Sequence, residues 1–262
     1  MGILHRRYTA PPRLKKNSRL QLLLAYTNYS IDEEEALVAQ LLARRPEAII
    51  LTGGRHTEKC RRMLQKADIP VVETWDQPEQ AIGSSVGFSN AKAAEITFDH
   101  LVHKGCQNIT FLGGDHVADT RGFDRRSGYI EAAKANGREP QLVDLGEPPV
   151  TMESGPEAFD KLKEAYPNTD GLICVSDLLA FGVLMAAQRT GKNVPESFRL
   201  AGFGDYDIAS ISIPSITTVA VQPRQIGEYA AQRVLEALKN EDQAVGGHIS
   251  VDTKLIERAT SS

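Results

Sequence analysis

At 262 residues, 41% hydrophobic and 6% aromatic, the chain has room for one large or two small domains and the make-up of an ordinary α/β protein. A net charge of −4 gives no global case for nucleic-acid binding, and no apolar run reaches the ~20 residues that span a bilayer. Three scattered cysteines, Cys60, Cys106 and Cys174, lack metal-ligand spacing and suggest reduced thiols in the cytoplasm.

Residues 1–17 are basic, contain Pro11-Pro12 and lack the apolar centre of a signal peptide, so an irregular extension is expected. A strand is predicted over 20–25 and a helix over 32–44. Further strands are predicted over 48–52, 71–74, 109–112, 141–145 and 172–175, with a short extended piece near 84–88. Helical patterns lie between most of them; Cys60 and Cys106 fall on helices and Cys174 on a strand. This alternation is the signature of parallel sheets with helical crossovers. One doubly wound domain rarely has so many strands, which implies two similar lobes.

The most telling stretch runs from Gly171 to Asp207. A short apolar strand meets Ser176 and Asp177, both good N-cap residues, then a helix to about Gln188, a stop at Gly191, and a strand over 198–203. That strand opens into Gly204-Asp205-Tyr206-Asp207. Ligands of open α/β sheets bind beyond the carboxyl ends of strands, so this stretch reads as one wall of a ligand cleft.

The segment from Val175 to Ser210, then Ile213-Pro214-Ser215-Ile216-Thr217-Thr218-Val219 and Gln222-Pro223, resembles the sensor core of LacI/GalR-type transcriptional regulators. The likeness runs from about Leu20 to the end. Ile50-Leu51-Thr52-Gly53-Gly54, Trp75-Asp76, Val86-Gly87-Phe88 and Gly202-Phe203-Gly204-Asp205 place it nearest the gluconate-repressor branch. The resemblance implies a two-lobe, periplasmic-binding-protein-like α/β fold of parallel doubly wound sheets with a cleft. It puts 18–88 plus 222–244 in an N-terminal lobe and 89–221 plus 245–262 in a C-terminal one. It also implies a homodimer and operator DNA bound through an N-terminal helix-turn-helix. Residues 1–17 do not resemble that unit, and the helix after Gln21-Leu22-Leu23-Leu24 aligns with the family's second βα unit. The DNA-binding unit and the first βα unit are therefore expected to be absent, leaving an exposed sheet edge.

Arg125, three residues before Gly128 and expected to open a helix, stands where the family places an effector-binding arginine. Its fork suits a carboxylate or phosphate. Ser176 and Asp177 read either as ligand contacts at a helix N-terminus or as a plain cap pair. Asp205 reads either as a contact or as a turn residue. Gly204 stands where sugar-binding relatives carry an aspartate, and its lack of a carboxylate agrees with an acidic effector. Val150 replaces a stacking ring, against a planar effector. Asn90 sits with Ser89 at the expected lobe crossing. Tyr26, with Asn28 and Tyr29, and Trp75 close strands and could line the cleft; Arg55 and His56 could add positive charge there.

Neither a dinucleotide fingerprint, nor a P-loop, nor an HExxH motif stands in the chain. His100 and His103 beside Asp99, and the turn Gly113-Gly114-Asp115-His116, read as surface and turn rather than metal sites. The expected function is a non-enzymatic sensor of a sugar acid such as gluconate or phosphogluconate, with no cofactor, metal or membrane. A periplasmic-type sugar-binding protein and an α/β enzyme are the other readings.

Overall fold

Parallel strands can be joined only by long crossovers, and the chain supplies a helix for most of them. The computed structural model of the protein describes residues 21–28, 30–114, 120–146, 150–239 and 246–262. Helix α1 (Ile31–Leu42) starts at Ser30, whose hydroxyl accepts the Glu33 N–H, and carries Asp32, Glu33 and Glu34 in its first turn, where the helix dipole favours them. Strand β1 (Ile49–Thr52) leads to α2 (Glu58–Lys66), capped by Thr57, and then to β2 (Val71–Thr74) and β3 (Ser84–Gly87). Next come α3 (Asn90–His103), β4 (Ile109–Gly113), α4 (Thr120–Ala135), β5 (Gln141–Asp144), a short 3-10 turn and α5 (Gly155–Ala165). Then follow β6 (Gly171–Cys174), α6 (Asp177–Arg189), β7 (Arg199–Gly204), α7 (Asp207–Ile211) and β8 (Thr217–Ala220). The chain closes with α8 (Pro223–Ala237), β9 (Gly247–Ser250) and β10 (Lys254–Ile256).

These elements form two compact units. The first runs to Phe88 and takes in Gln222–Asp252. Its sheet has the order β1-β2-β3-β9, parallel throughout, with α8 packed on β2 and β3. Val38, Ile49, Leu51, Cys60, Leu64 and Val71 make its core. The second unit holds Ser89–Val221 and Thr253–Ser262. Its sheet has the order β10-β8-β7-β6-β4-β5, parallel except where β10 runs antiparallel to β8. Every residue of β4 and β6 is buried, as expected of strands covered on both faces. Phe111 stacks on Tyr129 at 5.6 Å, and the buried Tyr129 hydroxyl donates to the Ile109 carbonyl while accepting the Gln141 N–H. That ring thus joins α4 to two strands without leaving a polar atom unmet.

Three expectations are corrected. Residues 21–27 form no strand and enter no sheet ladder among the described residues, and Leu22, Leu23 and Leu24 are exposed. Apolar character alone does not make a strand when no ladder partner takes up its N–H and C=O groups. Residues 1–17 and Leu20 lie outside the described residues. The last crossing falls after Asp252 rather than at 244/245, because β9 pairs with β3 of the first unit: Ser84↔Gly247 through Gly87↔Ser250. Cys106 follows α3 instead of lying on a helix.

Candidate functional site

In the second unit the helices run back along the sheet, so the N-termini of α3, α4 and α6 gather at the carboxyl edge of the strands. Gly128 sets how closely two of them meet. A Cβ there would lie 2.2 Å from the Ala91 carbonyl oxygen and 2.5 Å from its Cα, so α4 rests directly on the first turn of α3. One turn earlier on α4, Arg125 faces Asn90, the first residue of α3. Arg125 lies in the second turn of its helix, not at its opening. Its Nη1 donates to Asn90 Oδ1 at 2.5 Å, and the guanidinium lies 4.2 Å from the centre of the Phe203 ring. Asn90 is 1% exposed, and Ser89 caps its helix. A long cation is thereby held in one orientation by a hydrogen bond and a ring face.

Gly128→Val should therefore cost about 1–3 kcal/mol, as overpacking against an unyielding backbone does. Thermal denaturation checks this; an unchanged melting temperature would show that the two helices part without cost.

The neighbouring strand ends are built around Asp177. Ser176 accepts the Leu179 N–H at 3.3 Å and so caps α6. Asp177 is 0% exposed, and its Oδ2 accepts the Tyr206 N–H at 2.8 Å. Burial is the main cause that raises its pKa, to about 6, against hydrogen bonds from Thr218 and the Tyr206 backbone. Thr218 Oγ1 in turn accepts the Asp205 N–H at 3.2 Å. Asp205 pairs with Arg258 at 2.6 Å, which balances its charge. Gly204 has φ +120°, and a Cβ there would lie 2.5 Å from the Tyr206 ring, so the backbone itself excludes a side chain at this position.

The structure thus brings Arg125 to Asn90 and ties Asp177, Asp205 and Tyr206 into one network. Phe203 and Arg258 carry these contacts and were missed from sequence, Arg258 because it lies 53 positions from Asp205. Val150 packs against the second unit's core. Trp75 and Tyr26 belong to the first unit: Trp75 meets Phe88 edge-on at 6.5 Å with φ +68°, and Tyr26 is 70% exposed. Tyr29, Asp115 and His116 lie outside the described residues.

His56, expected as added positive charge, is enclosed between two carboxylates. Its Nδ1 meets Glu34 Oε1 at 2.5 Å and its Nε2 meets Glu73 Oε1 at 3.2 Å. Burial lowers its pKa, but the hydrogen bonds and charges of both carboxylates outweigh this and raise it to about 9. His100 bonds to Ser261 and His103 to the Asp99 carbonyl.

Gly83-Ser84-Ser85-Val86-Gly87 matches the GxSxG pattern of hydrolases. The context does not fit: Ser84–Gly87 is a strand, and Ser85 is 1% exposed and bonds across the sheet to His248 Nδ1 at 2.9 Å. A nucleophile elbow requires an exposed serine on a strand-to-helix turn.

Residues 98–261 match the family described as periplasmic binding protein-like domain. The HTH-type transcriptional regulator GntR of Pseudomonas aeruginosa is 32% identical over 85% of this chain and 65% of its own length. The HTH-type transcriptional regulator IdnR of Escherichia coli is 33% identical over 88% and 68%. The chain thus spans about two thirds of these curated relatives. A solved LacI family transcriptional regulator from Silicibacter pomeroyi shares 40% identity with a TM-score of 0.86, covering 92% of this chain and 87% of that one. The transcription regulator GntR from Chromobacterium violaceum gives 30% and 0.82, over 92% and 88%.

Proposed function

The chain belongs to the LacI/GalR family of transcriptional regulators, and from that premise we propose that it is an effector-binding core that senses a sugar acid, such as gluconate or phosphogluconate. The carrying observation is Arg125, fixed by Asn90 and Phe203 at the helix N-termini of the second unit. A fork so held recognises a carboxylate or phosphate bidentately and loses little freedom on doing so. The bare backbone at Gly204 and the Arg258 partner of Asp205 keep free carboxylate charge away from an anion. In this reading Asn90 is a second contact, while Ser176, Asp177 and Asp205 hold the loops in place. Trp75 and Tyr26 carry no part of it. Names of the relatives include a helix-turn-helix; operator binding by a homodimer, controlled by the effector, is the corresponding proposal for the whole protein. No helix among the described residues is long and apolar enough to cross a membrane.

A thermal-shift panel of gluconate, 6-phosphogluconate, glucose, galactose, ribose and hypoxanthine tests the specificity. A native-state ligand at a hundredfold excess over its Kd stabilises by about 2.7 kcal/mol, so an acid that binds should raise the melting temperature clearly. Stabilisation by a neutral sugar or the purine, with none by the acids, would overturn the reading.

A further inference from the structure

The buried histidine of the first unit has the donors of a metal site around it. Glu34 on α1, His56 in the loop before α2 and Cys60 in the first turn of α2 bring a carboxylate oxygen, an imidazole nitrogen and a sulfur within 4.8 Å of one another. They are the one such group among the described residues. Cys60 Sγ lies 4.0 Å from Glu34 Oε1, and Nδ1 of His56 meets the same oxygen. The His56 and Cys60 side chains are fully enclosed and that of Glu34 is 11% exposed.

We propose that Glu34, His56 and Cys60 form a binding site for a borderline transition-metal dication of the Zn²⁺ class, with Glu73 as the carboxylate that orients the imidazole.

Three features support it. Imidazole, thiolate and carboxylate are the donor set such ions take, in a tetrahedron whose fourth corner is left to water. Glu73, 0% exposed, sits at Nε2 and is itself fixed by the Ile82 N–H at 2.7 Å. A carboxylate on the far nitrogen holds that nitrogen protonated and turns the lone pair of Nδ1 toward Glu34 and Cys60, the arrangement that backs metal-bound histidines. Finally, Glu34 and Glu73 face a single imidazole, and neither pairs with a lysine or arginine among the described residues. A dication among them would give both carboxylates and the thiolate a shared countercharge.

The site involves no residue of the effector reading, so each stands or falls alone. The test takes the full chain, stripped by chelator and dialysed against Zn²⁺, with metal counted by mass spectrometry. Co²⁺ is the optical probe, because a thiolate ligand gives a near-ultraviolet charge-transfer band. The expected result is one metal per chain, a band absent from Cys60→Ser, no retention by His56→Gln, and affinity lowered about 10–100-fold in Glu73→Gln. Circular dichroism confirms that each variant folds, and Glu34→Gln stands in for any that does not. An unmodified chain that retains no metal, or a Co²⁺ band unchanged in Cys60→Ser, would overturn the proposal and leave His56 as an imidazolium bridging two carboxylates.

Discussion

Arg125→Ala is expected to weaken effector binding ten- to a hundredfold while leaving the fold intact. The loss is that of a charge-assisted, bidentate contact, roughly 1.5–3 kcal/mol. The side chain donates to Asn90 and lies on the ring face of Phe203, and neither partner belongs to the core cluster of the second unit. Arg125→Lys separates charge from shape. It keeps the cation but loses the planar fork and much of the stacking, a contact worth about 0.5–2 kcal/mol between exposed and desolvated settings. An intermediate affinity is expected. Asn90→Ala should weaken binding through Arg125 as well, because the guanidinium loses the partner that orients it. Calorimetry with gluconate and 6-phosphogluconate on all four proteins decides the matter. Affinity unchanged in Arg125→Ala, for whichever acid binds, would remove this residue from the site.

Asp177 should make the protein less stable as pH rises. Its folded pKa of about 6 lies above the ordinary 3.8, with burial the leading cause. Below the unfolded value both states are protonated, and the favourable neutral form is fully present. Between the two values the folded state holds a proton that the unfolded state has released, so the stabilisation declines. It is gone once pH has passed through about 6. At ~1.4 kcal/mol per pH unit the difference amounts to about 3 kcal/mol. Asn at this position keeps an acceptor for the Tyr206 N–H and has no charge to bury. The unfolding free energy of the original chain, minus that of Asp177→Asn, should therefore fall by about 3 kcal/mol from pH 3.5 to pH 7. Urea titrations across that range supply the measurement. A difference independent of pH would mean that Asp177 is ionised in the fold as readily as in water.

The local features of this molecule are written in short stretches of chain. Ser30, Thr57 and Ser176 each precede a helix whose N–H groups they accept, and each could be named from its neighbours alone. The fully apolar run at 172–175 announced a strand covered on both faces, and Gly191, at φ +77°, marks the stop of α6. A helix cap or an amphipathic period is satisfied within a turn or two, so residue order determines it. A strand is different, since its hydrogen bonds belong to a partner that the strand does not encode. Hence residues 20–25 looked like a strand and 21–27 are irregular, while β9 joined β3, whose Ser85 lies 163 positions before its partner His248. The site divides in the same way. Arg125 and its helix were legible, but the ring beneath the guanidinium, the Arg258 partner of Asp205 and the two glutamates around His56 were not. Those contacts join residues 17 to 78 positions apart. Charge pairing and ring stacking act over a few ångströms of space, and only the tertiary fold decides which distant side chains come within them.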